Sequence, residues 1–160
     1  MNIHSSLEAE KGCPPVTEIW FDNFFMRVLL DAEATGGRLS VCEQWHYKGY
    51  APPVHVHQGE DQTLHVLEGS ITARLGDVDT TVSAEESVFL PRGVPHCFLV
   101  EEEGTRLLEI NTPGGFEGFH IAAGEPATEA RLPDRAEPDI GRLMEAAGPY
   151  DLEILGPPMA

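Results

Sequence analysis

The chain has 160 residues, enough to bury one real core and too few for two ordinary domains. Its 27 acidic against 10 basic side chains give a formal charge of −17 at pH 7, spread without a long acidic block, which argues against nucleic acid and anionic membrane surfaces as partners. Three cysteines, Cys13, Cys42 and Cys97, with no C-x-x-C pair exclude a disulfide framework and a zinc knuckle, while 16 glycines and 13 prolines make the chain turn-rich without reaching a disordered composition.

Residues 1–15 are polar, lack the basic and apolar regions of a secretion signal, and end in Pro14-Pro15, so a flexible arm on a cytoplasmic protein is expected. The stretch IWFDNFFMRVLL (19–30) is aromatic and β-branched enough to favour strands, although Leu29 and Leu30 also suit a helix. Gly36-Gly37 turns the chain into RLSVCEQWHY (38–47), a further strand. From Leu64 the spacing predicts a meander: LHVLE, SITARL, VDTTVS, SVFLP, HCFLVEE and TRLLEINT, separated by turns at Glu68-Gly69 and Gly76-Asp77. Short strands at this interval indicate a sandwich or barrel, not a parallel α/β sheet. After Phe119 a charged, proline-punctuated segment leads to PDIGRLMEAAG (138–148), a helix whose Ile140, Leu143, Met144 and Ala147 form one docking stripe and whose Gly148 sits where a C-cap belongs. The organisation expected is an arm at 1–15, a barrel at 16–122, and an extension at 123–160 with a short helix packed on the barrel.

The segment from Gly49 to Gly69 reads GYAPPVHVHQGEDQTLHVLEG, and a third histidine, His96, follows in LPRGVPH. On a strand His55 and His57 share a face, so one ion can take both, and His96 must arrive from another strand. An H-x-H pair alone is as often a hydrogen-bonded pair of the core or surface. The rigid approach of Pro52 and Pro53 and the tight loop of Pro91, Gly93 and Pro95 favour a metal site instead. Imidazole ligands point to one divalent transition metal, among Fe, Zn, Ni, Mn, Co and Cu. Gln62 lies on the following strand as a weak fourth ligand or hydrogen-bond donor. It is the residue on which mechanism turns, because an amide cannot take a proton. Asp61 points to the other face, and Glu60 lies in a loop of unassigned direction. Leu64 and Val66 share the face of Gln62, and Phe98 that of His96, giving an apolar pocket. Trp45, His46, Tyr47 and Tyr50 are candidates for its mouth, and Phe116 and Phe119 for its cover, with core packing as the competing reading for each. His46 is also a candidate second-shell residue or fourth imidazole. His65 turns away, and His4 and His120 have no supporting context.

These two segments resemble the first and second cupin motifs, and VLEG, FLPRGVPH, TPGGFEGF and ILGPP are similar to small single-domain quercetin dioxygenase-like cupins. Three positions depart from the pattern: Gln62 replaces the glutamate ligand, Glu86 the opening glycine of the second motif, and Val100 its closing asparagine. The resemblance implies an all-β cupin jelly-roll β-barrel with a short C-terminal helix, and homodimers built through N-terminal strands, for which 19–30 offers more aromatic surface than a lone small barrel covers. It also implies an enzyme acting on a small aromatic or polycarbonyl substrate: a phenolic, a hydroxy-ketone or a 1,3-dicarbonyl. With an iron-type ion this is an oxygen-dependent, quercetinase-like dioxygenase. With a zinc-type ion it is a redox-neutral polyketide cyclase or isomerase, to which the chain is also similar. A non-catalytic small-molecule or metal-binding cupin is the third reading, and Gln62 is its best support.

Overall fold

The computed structural model describes residues 13–160, so the expected arm at 1–15 lies outside the described residues except for its last three. β1 (Thr17–Phe21) and β2 (Phe24–Leu30) turn back on each other at Asp22-Asn23, with Asp22 in the left-handed region at φ 50°. One helical turn, α1 (Ala32–Thr35), follows because Asp31 caps it, accepting from the Ala34 amide at 2.8 Å, and left-handed Gly36 ends it. Then come β3 (Ser40–His46), β4 (Pro53–His57), β5 (Asp61–Glu68), β6 (Ser70–Leu75), β7 (Val78–Ser83), β8 (Ser87–Leu90), β9 (His96–Val100) and β10 (Thr105–Thr112). The chain closes with α2 (Glu117–Ala123), β11 (Glu125–Pro126), α3 (Ile140–Ala147) and β12 (Leu152–Pro158).

Two antiparallel sheets form, ordered β11-β1-β2-β3-β10-β5-β8 and β12-β4-β9-β6-β7. The strands are those the sequence predicts, but their connection is not a meander. In the run from β5 to β10 only β6 and β7 are neighbours both in sequence and in a sheet, and the other connections cross between sheets as a jelly roll requires. Gly69 makes the first crossing at φ 82°, with Thr105 packed so closely that a β-carbon has no room. In the second motif the glycine-like backbone belongs to Glu85, at φ 70°, so Glu85 and not Glu86 occupies the opening-glycine position.

Strict alternation in β5 and β10 turns Gln62, Leu64 and Val66 inward from one strand and Thr105, Leu107, Glu109 and Asn111 from the other. The core falls into two clusters. One gathers Leu64, Val66, Ile71, Phe98 and Leu107 between the sheets. The other packs Phe21, Phe24, Met26 and Cys42 against Phe116 and Phe119. The aromatic residues of 19–30 are therefore mostly covered within a single chain, Phe21, Phe24 and Phe25 being at most 5% exposed, which removes the surplus apolar surface that suggested a dimer.

The chain after residue 122 does more than cover a barrel. β12 pairs with β4, and β11 pairs with β1. Of the α3 stripe, Ala147 is buried and Leu143 packs on the core, whereas Ile140 and Met144 are exposed. Gly148 is right-handed at φ −51° and continues into a short 3-10 turn, so the left-handed stop comes later, at Asp151 with φ 51°. Among the described residues no helix is long and apolar enough to cross a membrane.

Candidate metal centre

β4 carries His55 and His57 on one side of its pleat, and β9 begins with His96 directly opposite His55 in the ladder. Cross-strand pairing thus brings together residues 41 positions apart, and one nitrogen from each of the three rings lies within 4.8 Å of the others. His57 and His96 are almost fully buried and His55 partly so. Each ring is held from behind. His55 Nδ1–H donates to the Pro53 carbonyl at 2.7 Å, and His96 Nδ1–H to the Val94 carbonyl at 3.1 Å. Glu60 Oε1 lies 2.5 Å from His57 Nδ1, close enough for an ion pair although off the hydrogen-bond axis. With Nδ1 engaged, His55 and His96 are left to present their Nε2 lone pairs to the cluster, which is the arrangement a metal requires.

Electrostatics agree. Burial, reinforced by His96 and His57, pushes His55 down to about 3. Burial and the neighbouring His57 push His96 down to about 4. Both rings are therefore neutral at physiological pH. His57 Nε2 is buried with no protein partner. Gln62, 4% exposed, points its amide oxygen at His96 Nε2 across 3.2 Å. Two acceptors face each other there, an arrangement that calls for a cation beside them or for the amide to turn its N–H₂ toward the ring. Three imidazoles gathered in the interior and an adjacent carbonyl oxygen fit a divalent transition metal.

The cluster opens into a cavity of about 230 Å³. Its lining includes the three histidines and Gln62 together with Leu64, Phe98, Phe116 and Phe119. Ile140 and Met144 of α3, both exposed, also line it. Four other expected lining residues lie elsewhere. Trp45 alternates to the outer face, where Arg27 and Arg106 sit 5.2 and 5.4 Å from its ring. Tyr47 is also outside, donating its hydroxyl to the Pro133 carbonyl at 2.8 Å. Val66 is fully buried in the core between the sheets. His46 faces inward but is enclosed by Phe24, Tyr50 and Phe98, and its Nε2–H donates to Gln44 Oε1 at 2.9 Å. It is not part of the histidine cluster. Tyr50 does line the cavity, and His65 is turned outward with Nδ1 2.8 Å from Ser87 Oγ.

Sequence reasoning missed a second polar group on the cavity wall: Glu109, Gln44 and His120. The pattern of TRLLEINT contained the signal for the first, since Glu109 alternates with Leu107 onto the inward face. His120 had no supporting context in the sequence, and it reaches the cavity because the chain forms α2 from Glu117. Glu117 sets up that segment, accepting from the Ala32 amide at 2.6 Å and the Gly115 amide at 2.7 Å.

Residues 45–111 match the cupin domain family. A quercetin 2,3-dioxygenase from Bacillus subtilis (strain 168) is 25% identical over 130 residues, covering 80% of this chain and 39% of the enzyme, so the chain spans well under half the length of that relative. Among solved structures, a mutant of Bacillus subtilis oxalate decarboxylase superposes with a TM-score of 0.59 at 18% identity, over 71% of this chain and 32% of that one. KdgF from Halomonas sp. superposes with a TM-score of 0.55 at 14% identity, over 69% of this chain and 94% of that one. At these identities the two structures speak for the fold alone.

Proposed function

This chain is a member of the cupin superfamily, and from that premise we propose that it is a metal-dependent enzyme acting on a small phenolic, hydroxy-ketone or 1,3-dicarbonyl compound, as an oxygen-dependent dioxygenase. The observation that carries the reading is the set of three imidazoles, two of them backed at Nδ1, converging on the wall of an apolar cavity. A divalent ion held by His55, His57 and His96, with the Gln62 amide beside it, would supply uncompensated positive charge and open coordination positions for a chelating, anionic oxygen pair. The protein's own contribution is shape and dryness. Leu64, Leu90, Phe98, Phe116 and Phe119 exclude water and favour a flat, largely apolar body, while Gln62 offers a carbonyl oxygen or an N–H but no basic site. The quercetin 2,3-dioxygenase similarity inclines the reading to oxygen-dependent cleavage.

One observation favours a second reading. With an amide at position 62, the glutamate that the cupin pattern places there is missing, which suits a redox-neutral cyclase or isomerase. An assay of metal-reconstituted protein on flavonols, catechols and 1,3-diketones, with and without oxygen, separates the two. Turnover that stops without oxygen is expected, and product formed at an undiminished rate without oxygen would overturn the dioxygenase in favour of the second reading. Tight binding with no product from any compound would instead assign a non-catalytic cupin.

A further inference from the structure

A buried carboxylate shares the cavity with the histidines. Glu109 pairs with Leu64 of β5 and Cys42 of β3, placing it diagonally across the ladder from Gln62, whose direct partner is Asn111. It is 5% exposed and lines the cavity. Among the described residues no lysine or arginine forms an ion pair with it. Two neutral amides hold it instead: Gln44 Nε2–H donates to Oε2 at 2.8 Å and Asn111 Nδ2–H donates to Oε1 at 2.9 Å. Glu109, which as a carboxylate only accepts, fixes the direction of the first by drawing the Gln44 N–H₂, so that Gln44 Oε1 faces His46 and takes its Nε2–H. Each carboxylate oxygen keeps a free lone pair. Neutral hydrogen bonds offset only part of the cost of burying a carboxylate, so a core without a use for it would do better with an apolar side chain.

We infer that Glu109 is the proton acceptor of this cavity, taking the O–H proton of an enolic or phenolic ligand whose oxygens reach the histidine cluster. The ligand's O–H bond breaks, its electron pair stays on the ligand oxygen, and the proton forms a new O–H bond on Glu109. No further reactant is needed. The inference rests on the function proposed above and removes its main difficulty, since the base absent at Gln62 is supplied from the neighbouring strand. The other titratable groups that feel the Glu109 charge are His96, His120, Tyr50 and Cys42. Burial holds the two histidines low and lifts the Tyr50 hydroxyl and Cys42 thiol, so these four are neutral near pH 7. His120 Nδ1, buried in the same cavity without a partner, is free to orient the ligand.

Proton counting tests this. Zinc(II) suits it because the ion is redox-inert and the bound ligand is not consumed. Calorimetric titration of zinc-reconstituted protein with 3-hydroxyflavone at pH 7, in buffers of different ionisation enthalpy, gives the protons released per ligand bound. For wild type the release should be about zero, and for Glu109→Gln about one, because the ionised ligand's proton must then go to the buffer. The variant should also bind roughly tenfold more weakly or worse, the loss expected from a hydrogen bond to a charged group. Release of a full proton by wild type overturns the inference and leaves the metal-chelate reading standing, and zero release from both proteins overturns it equally. Failure of the zinc-loaded wild type to bind at all overturns both. If the variant does not fold, the absorption spectrum of 3-hydroxyflavone bound to wild type decides: an ionised ligand with no proton released supports the inference, and a ligand bound neutral overturns it.

Discussion

His55, His57 and His96 come from two strands and must act together, so removing any one should lower metal content well below one ion per chain. Elemental analysis of His96→Ala checks this, and near-stoichiometric metal would remove the assignment. Gln62→Glu should have the opposite effect, slowing metal loss to a chelator, because an anionic oxygen replaces a neutral one beside His96 Nε2. His46 has a separate, structural consequence. Burial pushes it down to about 3, below the ordinary 6.5, so on acidification the unfolded chain takes up the proton first. Its contribution to stability is complete above about pH 6.5 and is lost between there and about pH 3, by up to about 1.4 kcal/mol per pH unit within that window. Urea titrations between pH 7 and pH 5 should therefore show a shallower loss of stability for metal-free His46→Phe than for metal-free wild type. Equal slopes would show that another group sets the acid limit.

β4 is the element on which the centre depends, and it is weakly held on one side. Its ladder with β9 is the single pair His55–His96, whereas on the other side β12 pairs with it at five positions. Ending the chain after Tyr150 should turn β4 into an exposed edge, lowering both the melting temperature and metal retention. Scanning calorimetry and elemental analysis of that truncation test it, and unchanged values would mean that the β4–β9 contact suffices. The same elements show what the sequence could reveal. The shared face of His55 and His57 was readable because strand alternation is a local rule, as was the inward face of β5 with Gln62 and Leu64. Val66 follows that rule too, yet it fills the core between the sheets, because facing inward does not say how far along the barrel the cavity extends. His46 alternates inward as well, but the side chain it meets is Gln44. The crossing order of the sheets, the place of β12 beside β4, and the meeting of Glu109 with Gln44 all depend on contacts between distant segments, which no local pattern records.

At the level of the whole molecule, the two sheets contribute unequally to one chemical task. The histidines stand on the five-stranded sheet, while Gln62 and Glu109 stand on the seven-stranded sheet, so cavity chemistry is divided across the interface between them. An ion bound at this seam would act as a rivet, joining layers that are otherwise held together by apolar contacts and the connecting chain. Chelation should then loosen the sandwich itself, lowering the melting temperature by an amount that grows with the free-metal concentration of the loaded sample. The same scan with Gln62→Ala, which removes the side chain on the far layer, distinguishes a rivet from a pendant ion: a rivet loses much of its stabilising effect, and an ion attached to one sheet loses little.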